Sequence, residues 1–276
     1  MKWQILHRTR YTYGLPARES FNDARLQPAE NEHQSLESFV LTTQPGAPFR
    51  LYRDFYRNAV HHFEIPVPHS ELLIESRALV SVHPSPPLSA ADAPAPLEAL
   101  ADYVKSNNAY DFLGPSRFVE DLPQTWRLAL DATAGLTDTW QAALALMRFV
   151  HGHLNYAPAS THVHTRLGDV LAQRRGVCQD FTHVLLGLCR AVKIPARYVS
   201  GYLAAEKARA THAWVEVLIP SLGWRPLDPT HNGQTDDSYV KIAIGRDYAD
   251  VPPVTGYYKG TMERRMEVDV QIEPVA

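Results

Sequence analysis

Hydrophobic and polar residues alternate along the first part of the chain. Alternate positions hold Trp3, Ile5, His7, Thr9, Tyr11 and Tyr13. This alternation is typical of a strand with one buried face. Shorter strand-like runs follow at residues 36–42, 49–55, 59–65 and 72–82, separated by turn-forming residues. Residues 1–83 therefore predict a small antiparallel β module.

A proline-rich segment follows this module. Residues 83–96 contain five prolines, and proline supplies no backbone donor to a helix or a sheet. Such a composition favours an extended connector. We therefore predict a connector at residues 84–96 and a second domain at residues 97–276.

Helical spacing replaces the alternation after the connector. Residues 97–105 and 138–154 have apolar positions three and four apart, and a third helix runs from Cys178 to the Ile194-Pro195 pair. Strand-like runs then follow at residues 197–203, 211–219, 224–227 and 239–244. Helices come first and strands afterwards, so the second domain is predicted to be α+β, with an antiparallel sheet.

Composition and charge exclude several classes of function. The chain has 276 residues, of which 45% are hydrophobic and 21% charged, with a formal net charge of −3. This composition excludes a mainly disordered protein, and the slightly negative charge offers no general attraction for nucleic acid or anionic lipid. The apolar-rich residues 140–150 are about half a membrane span. We expect neither a nucleic-acid partner nor a membrane partner.

The cysteines and the start of the chain bear on location. Only Cys178 and Cys189 are present, too few for a disulfide-stapled secreted fold. The first residues show no apolar stretch followed by small residues, so we expect no signal peptide. A cytoplasmic location is the expectation.

Cys178 stands where a helix begins. Unpaired N–H groups and the positive end of the helix dipole favour a thiolate over a thiol there and can hold an oxyanion. The alternative is a small buried hydrophobic residue. Cys189 lies almost three turns further along the same helix, about 16 Å away at 1.5 Å per residue. We expect Cys189 to be inert core packing, with no disulfide between the two.

A cysteine nucleophile needs a base and a group that orients the base. Alternation along residues 211–217 places His212, Trp214 and Glu216 on one strand face. The following strand returns antiparallel and brings Asp228 back toward His212. A simple four-residue turn would set Asp228 opposite Val215, so direct contact requires an offset. Alone, His212 can also be a satisfied half-buried histidine and Asp228 a turn residue.

Three segments carry a family resemblance: Gly176-Val-Cys-Gln-Asp-Phe181, Thr211-His-Ala-Trp-Val-Glu-Val217 and Leu227-Asp-Pro-Thr230. In this order they resemble the signature segments of the transglutaminase-like superfamily, whose core is similar to the papain-type α+β fold. The first module resembles the β region that precedes this core in bacterial members.

The resemblance implies acyl transfer through Cys178 as nucleophile, His212 as base and Asp228 as orienting carboxylate. Tyr156 and Gln179 are candidate oxyanion donors, and Trp214 is a candidate cleft residue, although core packing is the simpler role for it. The expected partner is a peptide or protein amide substrate, and the chemistry needs neither a cofactor nor a metal. Oligomeric state is not predicted.

Three alternatives remain open at this point. His151, His153, His162 and His164 form two His-x-His pairs, a spacing that can bind a metal. The chain can instead be a non-catalytic, peptide-binding member of the fold. Within the enzyme interpretation, amidase or protease-like hydrolysis is favoured over protein-glutamine transglutaminase activity, because no secretion signal or calcium-loop pattern is evident.

Overall fold

A computed structural model gives the positions of residues 1–83, 86–89, 95–204, 210–220, 222–261 and 263–275. Within the predicted connector, residues 84–85 and 90–94 lie outside this part of the chain. The described residues form a mixed α+β structure with two main antiparallel sheets. The predicted fold class is confirmed.

The first sheet is built around the long strand β1, Lys2–Ala24, and its neighbours are antiparallel. The other strands from this part of the chain are β2 (Gln34–Gln44), β3 (Arg50–Arg53), β4 (Ala59–Ile65) and β5 (His69–Val82). Their order is β2-β5-β1-β4-β3. Along the first half of β1 the odd-numbered positions from Trp3 to Tyr13 are buried, as the alternation predicts.

The middle of the chain supplies the helices. They are α1 (Leu100–Ser106), α2 (Pro123–Ala132), α3 (Thr139–His153), α4 (Leu167–Gln173) and α5 (Cys178–Ala191), and two short parallel strands, β6 (Asn155–Tyr156) and β7 (Arg175–Gly176), pair among them. Helix α5 is buried from Asp180 to Arg190. None of the helices in the described ranges is long and apolar enough to cross a membrane.

The sequence interpretation did not assign α2 and α4. Both are short, with ten and seven residues. On α2 the buried positions are Thr125 and Ala129, whereas Trp126 is exposed. Leu128 and Ala132 are only partly buried against the core, so the hydrophobic pattern marks the buried face of this helix only in part.

The second sheet packs against α5. It contains β8 (Ala196–Leu203), β9 (His212–Ile219), β10 (Gly223–Leu227) and β11 (Tyr239–Gly245), in the order β10-β9-β8-β11. Every residue of β9 is buried. The central strand β9 is thus held between two neighbours and a helix.

The last two strands join the first sheet. They are β12 (Val254–Lys259) and β13 (Arg264–Val275), and both pair antiparallel with β1. The β13 register runs from Lys2 opposite Val275 to Tyr13 opposite Arg264. The prediction grouped residues 97–276 as one domain. In the structure, β12 and β13 pair with β1, which belongs to the predicted first module.

A buried ion cluster lies on one face of β9. Glu216 accepts hydrogen bonds from Lys241 on β11 and from Arg197 on β8, with Arg197 Nη2 2.6 Å from Glu216 Oε2. Burial raises the pKa of the Glu216 carboxyl, but the attraction of Lys241 and Arg197 outweighs it and lowers the pKa to about 2. The Arg197 guanidinium also stacks over Trp224, 4.1 Å from the ring centroid.

We expect Glu216→Gln to destabilise the fold by up to about 3–5 kcal/mol, because two largely buried cations lose their buried counter-charge. Urea unfolding at neutral pH measures this loss. Glu267→Gln on β13 is the matched control, since Glu267 is exposed and pairs with exposed Arg265. Equal effects of the two substitutions would contradict a structural role for the buried cluster.

Candidate active site

The Cys178 side chain lies at the first position of α5. The preceding Gly176 allows a close approach, because a Cβ there would lie 2.5 Å from the Asp180 side chain. The Asp180 Oδ2 atom accepts from the Val177 N–H at 2.7 Å and from the Thr161 hydroxyl at 2.6 Å. These bonds fix the entry into α5. They leave the half-buried Cys178 thiol at the N-terminus of the helix, beside the backbone N–H groups of the first turn.

The register between β9 and β10 brings Asp228 to His212. Leu227 pairs with Val215, so the next position, Asp228, falls across from Trp214 rather than across from Val215. Residues opposite each other project to the same sheet face. Asp228 therefore shares a face with His212, and the His212 Nε2–H donates to Asp228 Oδ2 at 2.7 Å.

The His212 imidazole also bonds to Cys178. Nε2 is engaged by Asp228, which leaves Nδ1 as the ring nitrogen available to the thiol. Burial lowers the pKa of His212, but the hydrogen bonds to Asp228 and Cys178 outweigh it and raise the pKa to about 10. His212 is therefore held as a cation at neutral pH.

Asp228 is fully buried and accepts hydrogen bonds beyond the one from His212. The imidazole of His231 donates from Nδ1 at 2.8 Å, and the Tyr239 hydroxyl donates at 2.8 Å, both to Oδ2. The Thr230 N–H donates to Oδ1 at 2.8 Å. Burial raises the pKa of Asp228, but the bonds from His212 and His231 reverse the shift and hold it well below its ordinary value.

Sequence reasoning missed His231 and Tyr239. The sequence could have indicated His231, because it lies three residues after Asp228 and can reach it within one turn. No such indication exists for Tyr239, since it begins β11, which is separated from β9 by β8 in the sheet. Its contact with Asp228 depends on strand order rather than on local pattern.

A cavity of about 360 Å³ opens beside the thiol. We call it the Cys178 cavity; Cys178, His212, Tyr198, Tyr11 and Met266 mark its extent. The predicted oxyanion candidates Tyr156 and Gln179 both line it. Tyr156 is 57% exposed at its edge.

Gln179 and Trp214, two of the side chains predicted for the site, also make hydrogen-bonding or packing contacts. Gln179 donates from Nε2 to the Val163 carbonyl at 3.2 Å. Trp214 is buried beneath His212, with ring centroids 6.2 Å apart, and does not line the Cys178 cavity. Space for the indole comes from Gly201, where a Cβ would lie 2.5 Å from a Trp214 ring carbon.

Cys189, which the sequence predicts to be inert, and His183 are both buried on α5. Burial raises the pKa of the Cys189 thiol to about 12. His183 is buried on α5, and its Nε2 accepts from the Tyr248 N–H at 3.2 Å. Burial lowers the pKa of His183 to about 4. Neither side chain contributes to the His212 network.

The histidine pairs do not assemble a ligand set among the described residues. His151 faces the Thr230 carbonyl, and His153 stacks on Phe149. In this part of the chain, the one group with three potential ligand atoms within 4.8 Å of one another is His212, Asp228 and His231. There the Asp228 oxygen lies at hydrogen-bond distance from both imidazoles.

Two family models match the chain. The model described as the transglutaminase-like superfamily matches residues 126–229, and the model described as the bacterial transglutaminase-like N-terminal region matches residues 3–81. An uncharacterized protein of Mycobacterium leprae is 32% identical, covering 100% of this chain and 99% of the relative.

One solved structure resembles the whole chain, and one curated relative matches only part of it. A crystal structure of a candidate cysteine protease from Cytophaga hutchinsonii has the same fold, with a TM-score of 0.78 at 21% identity, covering 100% of this chain and 92% of that one. A protein-glutamine gamma-glutamyltransferase of Pseudomonas aeruginosa is 33% identical over 101 residues, which are 32% of this chain and 15% of the relative.

We expect the stabilising effect of His212 to depend on pH. Folding raises its pKa from about 6.5 to about 10, so its contribution is fully present below about pH 6.5 and is lost as the pH rises toward about 10. The difference in free energy of unfolding between wild type and His212→Ala should shrink over this range. Denaturant unfolding at several pH values measures it.

His83→Ala provides the control, because His83 is an exposed histidine at the end of the first module. Its effect on the free energy of unfolding should stay flat over the same range. A constant difference for His212→Ala would show that the imidazole is not held as a cation.

Proposed function

This chain belongs to the transglutaminase-like superfamily, and from this premise we propose that it catalyses thiol-dependent acyl transfer on an amide or peptide bond. Cys178 is the nucleophile, His212 the acid and base, and Asp228 the orienting carboxylate. The observation that carries the proposal is the bonding of one imidazole to both partners, Asp228 at 2.7 Å and the thiol at the start of α5.

The raised pKa of His212 favours an imidazolium beside the Cys178 sulfur in the resting site. The Cys178 sulfur attacks the carbonyl carbon, and the carbonyl oxygen becomes an oxyanion. The N–H of Cys178 at the helix N-terminus stabilises this charge, with Tyr156 and Gln179 as further donors. Asp228 stabilises the imidazolium and selects the tautomer.

Collapse of the tetrahedral adduct breaks the C–N bond. His212 gives its Nδ1 proton to the departing amine, which leaves a thioester on Cys178 and a neutral imidazole. His212 then takes a proton from water as its oxygen adds to the thioester carbonyl. Loss of the thiolate releases the carboxylic acid and restores the ion pair.

Water is the proposed acceptor. The described residues of the Cys178 cavity include no carboxylate that would attract the ammonium of a lysine substrate. The partial match to a protein named as a glutamyltransferase supports the alternative, in which a primary amine resolves the thioester. Location in the cytoplasm stays a prediction from the sequence.

Alkylation tests the proposed nucleophile without a substrate. We expect iodoacetamide to label Cys178 much faster than Cys189 at about pH 6.5, because Cys189 is buried and its pKa is raised to about 12. We also expect Cys178 to react faster than a small free thiol at that pH, because the His212 imidazolium lies beside it. Peptide mass analysis locates the label.

His212→Ala should remove most of the labelling gain, whereas His83→Ala should keep it. If Cys178 were labelled no faster than Cys189, the result would contradict the enzyme proposal. It would favour the alternative that the chain is a non-catalytic, peptide-binding member of the fold.

Product analysis separates hydrolysis from transfer. A glutaminyl peptide is incubated with and without an excess of primary amine, and the products are resolved by mass. We expect the free acid and ammonia, or a cleaved peptide bond, with no amine incorporated. Incorporation of the amine would overturn hydrolysis in favour of transglutaminase activity, and Cys178→Ala should abolish either outcome.

A further inference from the structure

The Cys178 cavity lies between the two sheets of the protein. Tyr198 and His212 contribute from the second sheet, on β8 and β9. Tyr11 on β1 and Met266 and Val268 on β13 contribute from the first sheet. The first sheet is therefore one wall of the space in front of the thiol.

Aromatic and aliphatic side chains dominate this space. Besides Tyr11 and Met266, the walls include Tyr198, Tyr248 and Val254. None of the described lining residues is Asp, Glu, Lys or Arg. A charged substituent entering the cavity would lose water without meeting an opposite charge there, except at the Cys178 and His212 pair.

Three titratable groups on the walls, His7, Tyr11 and Tyr248, are also neutral. His7 donates and accepts within the wall, since its ring nitrogens lie 2.8 Å from the Tyr202 hydroxyl and 3.0 Å from the Thr9 hydroxyl. Burial lowers the pKa of His7 to about 4. Burial raises the pKa of Tyr11 to about 12 and raises that of Tyr248 as well. These groups carry no charge at neutral pH.

We propose that the Cys178 cavity binds an uncharged apolar or aromatic side chain next to the amide bond under attack, with the first sheet as the wall that selects it. This inference rests on the proposed thiol chemistry of Cys178. The substrate class is then a peptide-like amide flanked by an apolar residue.

Size supports this assignment. The volume of about 360 Å³ falls near the lower end of the roughly 300–1,000 Å³ of ligand pockets. A cavity of that size holds one large side chain with part of its backbone. Burial of an apolar group against Tyr11, Tyr198 and Met266 is favourable, whereas an unpaired charge is disfavoured.

Three alkylating probes test the cavity: iodoacetamide, N-benzyl iodoacetamide and an iodoacetamide that carries a carboxypropyl group. Rates at Cys178 are divided by the rates of the same probes with a small free thiol, which removes differences in intrinsic reactivity. We expect N-benzyl iodoacetamide to react about tenfold faster than iodoacetamide, a gain typical of one apolar group in a pocket. The carboxypropyl probe should show no gain.

Met266→Glu tests the wall. Met266 is 55% exposed on β13, so a polar residue is compatible with folding there. The ratio of the benzyl to the iodoacetamide rate should fall toward one in Met266→Glu and should be retained in Met266→Leu. Val40→Glu is the matched control, because Val40 is also 55% exposed, on β2 of the same sheet, and does not line the cavity.

The outcomes distinguish the proposed apolar specificity of the cavity from the proposed thiol chemistry of Cys178. Fast alkylation of Cys178 with a benzyl ratio near one would overturn the apolar cavity and leave the thiol chemistry standing. A high ratio that Met266→Glu does not change would overturn the role of the first sheet. Labelling of Cys178 no faster than that of Cys189 by any probe would overturn both.

Discussion

The buried carboxylate of Asp228 is the group on which the geometry of the site depends. An unpaired buried charge typically costs about 3–5 kcal/mol, so the chain must bring donors to it. They come from β9 through His212, from the turn after β10 through Thr230 and His231, and from β11 through Tyr239. Together these bonds fix the end of β10 against β9 and turn the imidazole toward α5. A shift of one residue in register would move Asp228 to the opposite face.

Local patterns predicted the parts of the site but not their assembly. The alternation around His212 and the helix starting at Cys178 follow from short stretches of sequence, and the structure has both. The contact with Asp228 depended on the turn between β9 and β10, whose register the pattern left open. The contact from Tyr239 depends on the order of strands in the sheet. Strand register and strand order are set by tertiary packing, not by the spacing of residues along the chain. The position of Met266 beside the cavity depends on tertiary packing in the same way.

The rigidity of β9 links folding to chemistry. One face of this strand carries three side chains with different tasks. His212 is the proposed base, Trp214 packs beneath it, and Glu216 binds the strands on both sides. Because Arg197 and Lys241 reach Glu216 from β8 and β11, the strand is tied laterally by charge as well as by backbone hydrogen bonds. An imidazole on such a strand keeps its orientation between two partners without needing to be ordered by substrate.

The pairing of β1 with β13 imposes an order on biosynthesis. Cys178, His212 and Asp228 all leave the ribosome before residues 264–275, yet β13 supplies Met266 and Val268 to the space in front of the thiol. A nascent or truncated chain that stops short of β13 therefore holds all three of these residues while lacking one side of the chamber in front of the thiol. In that chain the first half of β1 also presents an unpaired edge, a template for aggregation. Completion of the last strand thus closes the chamber and protects the sheet in a single event.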